Sequence, residues 1–323
     1  MKYSEFEIIS NFFNKNQKTE KNLIKGIGDD AALIRIPKHN ILVISTDTLV
    51  EGTHFFKNIN PKNLAYKTIA VNLSDLAAMG ATPKWITLSI TMPKPNNKWL
   101  QCFSEKFFKI LNKYKITLIG GDTNRGPLSI TLSVYGLIQG KKALLRENAK
   151  EGDLIYVTGY LGESAAGFFL LQEKKYLINR DIRKYFIQKH LHPIPRISEG
   201  IILNKFANAA IDISDGLIAD LGHILERSQC GADIELNQLP ISNNLIKNFK
   251  EKNYLNWILY FGEDYELCFT VSKKNIEQLN LAIRQHLIHC KHIGYVTSKE
   301  KGFNLLKKNK KINFTKTGFN HFN

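Results

Sequence analysis

The sequence predicts a mixed α/β protein of two domains, and three observations carry that expectation. Segments with the two-residue alternation of strands interleave with segments of helical spacing along the whole chain. At 323 residues the chain exceeds one average domain. Between Gly140 and Asp153 it turns polar, with Lys141-Lys142 and Gly152-Asp153 marking a connection, so the domains are expected at 1–140 and 141–323.

Taken in order, Ser4 and Glu7 have the form of a capping box, and Phe6, Ile9, Phe12 and Phe13 recur behind them at helical spacing. Alternating segments Ala32 to Ile36 and Ile41 to Ser45, joined by Pro37-Lys38-His39-Asn40, read as a hairpin running into Thr46-Asp47. Asn60-Pro61 suits an N-cap and first helical residue, and the periodic segment continues to Met79, where Gly80 supplies a stop. Strands are expected at Trp85 to Thr91, Ile116 to Ile119 and Leu128 to Ile138, with a helix over Trp99 to Tyr114. The second half resumes with a strand at Leu154 to Thr158, a helix from Glu163 and the connector His192-Pro193-Ile194-Pro195. Strand Ala209 to Ile213 then meets Ser214-Asp215-Gly216 and a helix to Ser228. Later strands fall at Ala232 to Leu236, Glu266 to Val271 and His292 to Val296, with a helix between Asn275 and Leu287; the basic stretch beyond Lys301 is weakly patterned.

Composition narrows the class. Hydrophobic residues at 43% and aromatic residues at 11% belong to a folded globular chain. No window approaches the ~18 apolar residues of a membrane span, and Met1-Lys2-Tyr3-Ser4-Glu5 lacks a signal-peptide core, so a cytoplasmic protein is expected. Cys102, Cys230, Cys268 and Cys290 form no C-x-x-C pair and read as buried thiols. The net charge of +16 invites nucleic acid as a partner, but the lysines are spread over most segments as solvated surface, so neither nucleic acid nor membrane is expected.

The informative feature is a set of aspartates beside Gly, Ser or Thr, expected at strand ends or in turns: Asp29 and Asp30 in GIGDD, Asp47 in STDT, Asp122 in GGDT, and Asp212 and Asp215 in DISDG. Asp75 instead lies within a helix, three residues from Asn72 on one face. Two carboxylates ~4 Å apart repel by about 4 kcal/mol at an effective dielectric of 20, so a converging group requires cations. Oxygen-only ligands select magnesium, calcium or manganese, and magnesium is usually held by one or two carboxylates together with substrate phosphates. Spacing alone is equally compatible with aspartates that cap helices and turns without meeting.

Other motifs fail in context. Gly26-Ile27-Gly28-Asp29-Asp30-Ala31 satisfies G-x-G-x-x-A, but a strand-like segment follows it and two carboxylates would face a pyrophosphate. There is no G-x-x-x-x-G-K-[ST], and no H-R-D or D-F-G set. His190 and His192 could share a metal, although two histidines on a surface helix near a proline turn are more simply that.

In order along nearly the whole chain, GIGDDAAL, STDTLVEGTHF, NLSDLAAMGATP, GGDTNRGPLSITL, VTGYLGESAAG, AIDISDGLIADLGHI and GEDYELCFTV resemble the thiamine-monophosphate kinase family. That family belongs to a superfamily with aminoimidazole ribonucleotide synthetase and selenophosphate synthetase. The resemblance implies a homodimer, with an N-terminal α/β domain whose sheet pairs with its partner's and a C-terminal α/β domain. It implies ATP and several magnesium ions as well. Asp30, Ser45, Thr46, Asp47, Asp75, Asp122, Asp212 and Asp215 match metal positions; Gly121, Asp122, Arg146 and Ser214 match ATP contacts; His54, Glu263 and Phe319 match positions toward thiamine monophosphate. No nucleophile or general base is implied, because a phosphate monoester with a second pKa of about 6 is already ionised near neutrality. Selenophosphate synthetase is disfavoured, since no cysteine lies near the N-terminal glycine loop, and a non-enzymatic polyanion binder is disfavoured by the aspartates.

Overall fold

The computed structural model describes residues 4–14, 20–140, 142–173 and 178–314. The chain divides into two units, Met1–Leu76 with Ala81–Lys141, and Ala77–Gly80 with Lys142–Asn323.

The first unit opens with α1 (Glu5–Ile8). Here the Glu7 N–H donates to the Ser4 hydroxyl and the Ser4 N–H to the Glu7 carboxylate, a complete capping box. Short strands β1 (Leu23–Lys25) and β2 (Leu33–Ile34) pair antiparallel around the glycine loop. Then come β3 (Asn40–Val50), α2 (Pro61–Ala78), β4 (Thr82–Met92), α3 (Asn97–Tyr114), β5 (Thr117–Arg125) and β6 (Ser129–Gln139). The four long strands form one sheet in the order β3-β6-β4-β5, with β4 and β5 parallel and the other pairs antiparallel. Leu64, Leu73, Trp85, Phe103 and Phe107 are fully buried within this unit.

Two expectations are corrected here. No hairpin joins Ala32–Ile36 to Ile41–Ser45: β2 pairs with β1, and β3 pairs with β6 along its whole length. The alternation of β3 continues to Val50, and an eleven-residue strand completes its ladder only against a partner as long as Ser129–Gln139. Asp47 and Asp122, expected at strand ends or in turns, lie inside β3 and β5, which run on where Ser, Thr and Gly dilute the apolar alternation.

The second unit contains β7 (Leu154–Thr158), α4 (Glu163–Gln172), α5 (Arg180–Leu191), α6 (Ile197–Leu203), β8 (Ala209–Asp212), α7 (Leu217–Ser228) and β9 (Cys230–Glu235). It continues through α8 (Asn243–Asn248), α9 (Glu251–Tyr260), β10 (Leu267–Val271), α10 (Ile276–Arg284), β11 (Cys290–Ser298), β12 (Phe303–Lys307) and β13 (Lys310–Ile312). Its seven strands run in the order β13-β12-β9-β11-β7-β10-β8. All of β10 is buried, as a central strand covered on both faces should be. The weakly patterned tail turns out to hold a hairpin, turned by Lys308 and Asn309 in left-handed conformation at φ 52° and 62°. Only Cys268 is fully buried; Cys102, Cys230 and Cys290 are half-buried, and all four thiols are free. Among the described residues no helix is long and apolar enough to cross a membrane.

Candidate active site

In β3 the pleat sends Ser45 and Asp47 to one face and Thr46 and Thr48 to the other. Helix α2 lies against the first face with Asn72 and Asp75. The Asp47 N–H donates to Asn72 Oδ1 at 3.2 Å, and Ser45 Oγ donates to Asp75 Oδ2 at 2.5 Å. Burial, reinforced by the neighbouring Asp75 carboxylate, pushes Asp47 up to about 6. The Thr46 hydroxyl, on the opposite face, donates to Ser133 Oγ at 2.8 Å.

A cavity of about 1040 Å³ opens between α1, the glycine loop, β4 and β5. Asp29, Asp30, Gly121 and Asp122 line it. Asp29 is engaged locally: the Asp30 N–H and Lys25, 3.2 Å away, hold its carboxyl below the usual range. Asp122 accepts from the Thr123 N–H at 2.9 Å and from the Asn124 side-chain amide. Gly121 has φ 155°, and a Cβ there would stand 1.8 Å from the Leu88 carbonyl, so β5 approaches β4 as only glycine allows. Asp47 pairs across the sheet with Leu132, Leu132 with Leu88, and Leu88 with Gly121. That is three strand spacings, about 14 Å. The Ser45–Asp47–Asp75 group and the Asp30–Asp122 group are therefore separate stations, and among the described residues no three acidic, His or Cys side chains converge into a metal cage.

His54 sits in the turn after β3, closed by the Gly52 N–H donating to the Phe55 carbonyl at 2.8 Å. The Val50 N–H donates to His54 Nδ1 at 3.0 Å, which places the proton of the neutral ring on Nε2.

In the second unit, buried Asp212 ends β8 and Ser214 and Asp215 follow it. The Ser214 and Asp215 N–H groups both donate to Asp220 Oδ2 at 3.0 Å, and burial beside Asp212 pushes Asp220 up to about 8. From the other side the Glu263 N–H donates to the Ser214 carbonyl at 2.8 Å and the Tyr265 N–H to the Ile213 carbonyl at 2.9 Å. Glu263 and Tyr265 have φ 59° and 53°, a conformation that costs a non-glycine residue about 1–3 kcal/mol and persists only where the surroundings enforce it. The surroundings do enforce it. Asp264 accepts the Gly162 and Ser164 N–H groups at the start of α4, at 2.7 and 3.1 Å, and Glu266 accepts from Thr158 Oγ1 and from Arg196 Nε, both at 2.6 Å. Glu263 Oε2 lies 3.3 Å from His190 Nδ1.

Arg146 occupies an exposed single turn whose carbonyl accepts from Ser228 Oγ at 2.7 Å. Phe319 lies outside the described residues. The expectation of a surface histidine pair is corrected, since His190 is only 3% exposed. Sequence reasoning noted His190 but not its place beside Glu263, and it missed Asp220, Asp264, Arg196 and Glu266. For Asp220 a signal existed: it shares the apolar stripe of Leu217, Leu221 and Ile224, where a solvated acid would not sit.

Comparison with known proteins matches this architecture. Residues 28–138 fit the N-terminal domain of AIR synthase related proteins and residues 150–305 fit their C-terminal domain. The thiamine-monophosphate kinase of Buchnera aphidicola subsp. Schizaphis graminum (strain Sg) is 70% identical over 322 residues, covering 100% of both chains. The crystal structure of thiamine-monophosphate kinase from Stenotrophomonas maltophilia K279a superposes with TM-score 0.82 at 36% identity, covering 93% of this chain and 94% of that one. The structure of AaThiL complexed with AMPPCP and TMP superposes with TM-score 0.78 at 33% identity, covering 92% of each chain. By its two matched domains and its full-length relatives, the chain belongs to the AIR synthase related proteins and, within them, to the thiamine-monophosphate kinases.

Proposed function

We propose that this chain transfers the γ-phosphoryl group of ATP to thiamine monophosphate, giving thiamine diphosphate and ADP. The observation that carries this reading is full-length similarity to thiamine-monophosphate kinases, one of them in complex with an ATP analogue and TMP. The acceptor oxygen is ionised near neutrality, so the chain has no proton to remove and needs no general base. Its task is to align two polyanions and offset their repulsion, and transfer is direct and in line.

Magnesium is the metal we assign. Asp47, Asp75 and Ser45 form an oxygen-only set with a charge conflict that a divalent cation relieves. When bound, the ions supply charge neutralisation between the phosphates. Asp30, Asp122, Asp212 and Asp215 complete the proposed ligands, with Thr46 beside Asp47 as a further oxygen donor. Gly121, Asp122, Arg146 and Ser214 would hold ATP. His54, through Nε2–H, and Glu263 would hold the acceptor, with Phe319 beside them.

The division of labour follows residues 1–140, for ATP, metal and dimerisation, and 141–323, which complete the site. Among the described residues strand β3 pairs on one side only, and it exposes Ile41, Leu42 and Ile44, features that suit sheet pairing with a second copy. The proposed setting is the cytoplasm, where ATP and magnesium are supplied. The test is incubation of the purified chain with ATP, magnesium and thiamine monophosphate, followed by chromatography. Thiamine diphosphate is the expected product; none at any metal concentration overturns the reading. Isotope-chiral ATP should give inversion at phosphorus, and retention would defeat direct transfer.

A further inference from the structure

We propose that His190 is a positioning residue that fixes the Glu263 carboxylate for the positively charged heterocycle of the acceptor, a deepening that rests on Glu263 being an acceptor contact. The geometry behind it is a closed circuit. Asp264 Oδ1 accepts the Ser164 N–H at 3.1 Å, Ser164 Oγ lies 3.2 Å from His190 Nδ1, His190 Nδ1 lies 3.3 Å from Glu263 Oε2, and Glu263 adjoins Asp264 in the chain. An ionised carboxylate can only accept, so His190 carries a hydrogen on Nδ1 and shares it between Glu263 and Ser164.

Anchor and anchored group differ in exposure. The His190 side chain is 3% exposed and packs edge-on against Phe168, with ring centroids 5.5 Å apart, whereas the Glu263 side chain keeps 24% of its surface open. The backbone of Glu263 is pinned by its bond to the Ser214 carbonyl and by its left-handed φ. With His190 on the side chain as well, the carboxylate is held in place before any ligand arrives, which removes an ordering cost from binding. Thiamine monophosphate carries a permanent positive charge on its thiazolium ring, and a fixed carboxylate complements it. ATP offers no such group, so losing His190 should be felt by the acceptor alone.

The experiment is steady-state kinetics of the full chain with ATP and thiamine monophosphate varied separately. His190→Phe keeps the ring and its packing on Phe168 but has no donor. Its KM for thiamine monophosphate should rise about tenfold while KM for ATP stays within about twofold. His190→Asn, whose amide nitrogen can stand where Nδ1 stood, should restore most of the loss. The double variant H190F/E263Q should be no worse than E263Q, because His190 acts through Glu263. Equal rises in both KM values, no restoration by His190→Asn, or additive losses in the double variant would each overturn the inference. Should His190→Phe not fold by circular dichroism, His190→Gln, whose donor is displaced from the Nδ1 position, replaces it in the same comparisons. A wild-type chain that makes no thiamine diphosphate defeats the kinase reading, and an unchanged KM in E263Q defeats the assignment of Glu263; either result takes this inference down with it.

Discussion

At Asp47 and Asp75 the backbone is regular strand and helix and the charges are in conflict. In the segment at 263–266 the carboxylates of Asp264 and Glu266 are supplied with N–H, hydroxyl and guanidinium donors, and the backbone of Glu263 and Tyr265 carries the strain instead. The first arrangement is relieved by adding a cation. The second cannot be relieved by any ligand, because its strain is locked in by neighbouring elements, and so it serves as a fixed frame. Charge conflict therefore marks where something binds, and conformational strain marks what must not move.

The strongest way to break this comparison is Asp75→Asn. Turnover should fall about 10³-fold or more, while the ligand-free chain should melt at a higher temperature at pH 7.5, since the repulsion on Asp47 is gone. Asp47 sits at about 6 in the folded chain, above the ~3.9 of an unfolded aspartate. The folded state thus binds the proton more tightly, and this site loses stability as pH rises from about 4 through about 6. Melting curves against pH should show that loss in the wild type and a flatter profile in Asp75→Asn; a variant with normal turnover or lowered ligand-free stability would remove the charge-conflict account.

Gly262→Ala attacks the frame. A Cβ there would stand 2.1 Å from the Ser214 carbonyl at φ 76°, so destabilisation of about 2–4 kcal/mol is expected in urea unfolding. Asp220→Ala should cost about 1–2 kcal/mol by taking the acceptor from two part-buried N–H groups. Asp220→Asn should cost clearly less, since one oxygen, Oδ2, accepts both bonds and an amide oxygen can replace it. Equal losses in the two Asp220 variants would mean that an acceptor oxygen at this position is not what holds the loop. The smallest effect belongs to Lys25→Ala: its pair with Asp29 is exposed and screened by solvent, and the urea midpoint should stay where it is in the wild type.

Much of the fold was legible because local rules agree with it. The capping box at Ser4 and Glu7, the span of α2 and the shared face of Asn72 and Asp75 all follow from spacing within one element. What escaped depends on partners far away in the chain. The pairing of β3 with β6 is decided by matching lengths separated by some eighty residues. Which aspartates meet is decided by sheet order: Asp47 and Gly121 share a row and are nonetheless held apart by two intervening strands. The tail hairpin was hidden because its strands lie at the margin of the sheet, where only Leu305 is buried and alternation is faint. His190 looked superficial because its neighbours Lys189 and His192 are polar, and nothing local reveals that Glu263 lies against it.

The segment from Glu263 to Glu266 is tied residue by residue to separate parts of its unit: Ser214 and α5, the start of α4, Ile213 just after β8, and β7 with Arg196. Such a segment has no way to breathe by itself. Its amide protons at Glu263 and Tyr265 should trade with deuterium as slowly as those of the sheet interior, so that a stretch outside regular secondary structure keeps time with the core.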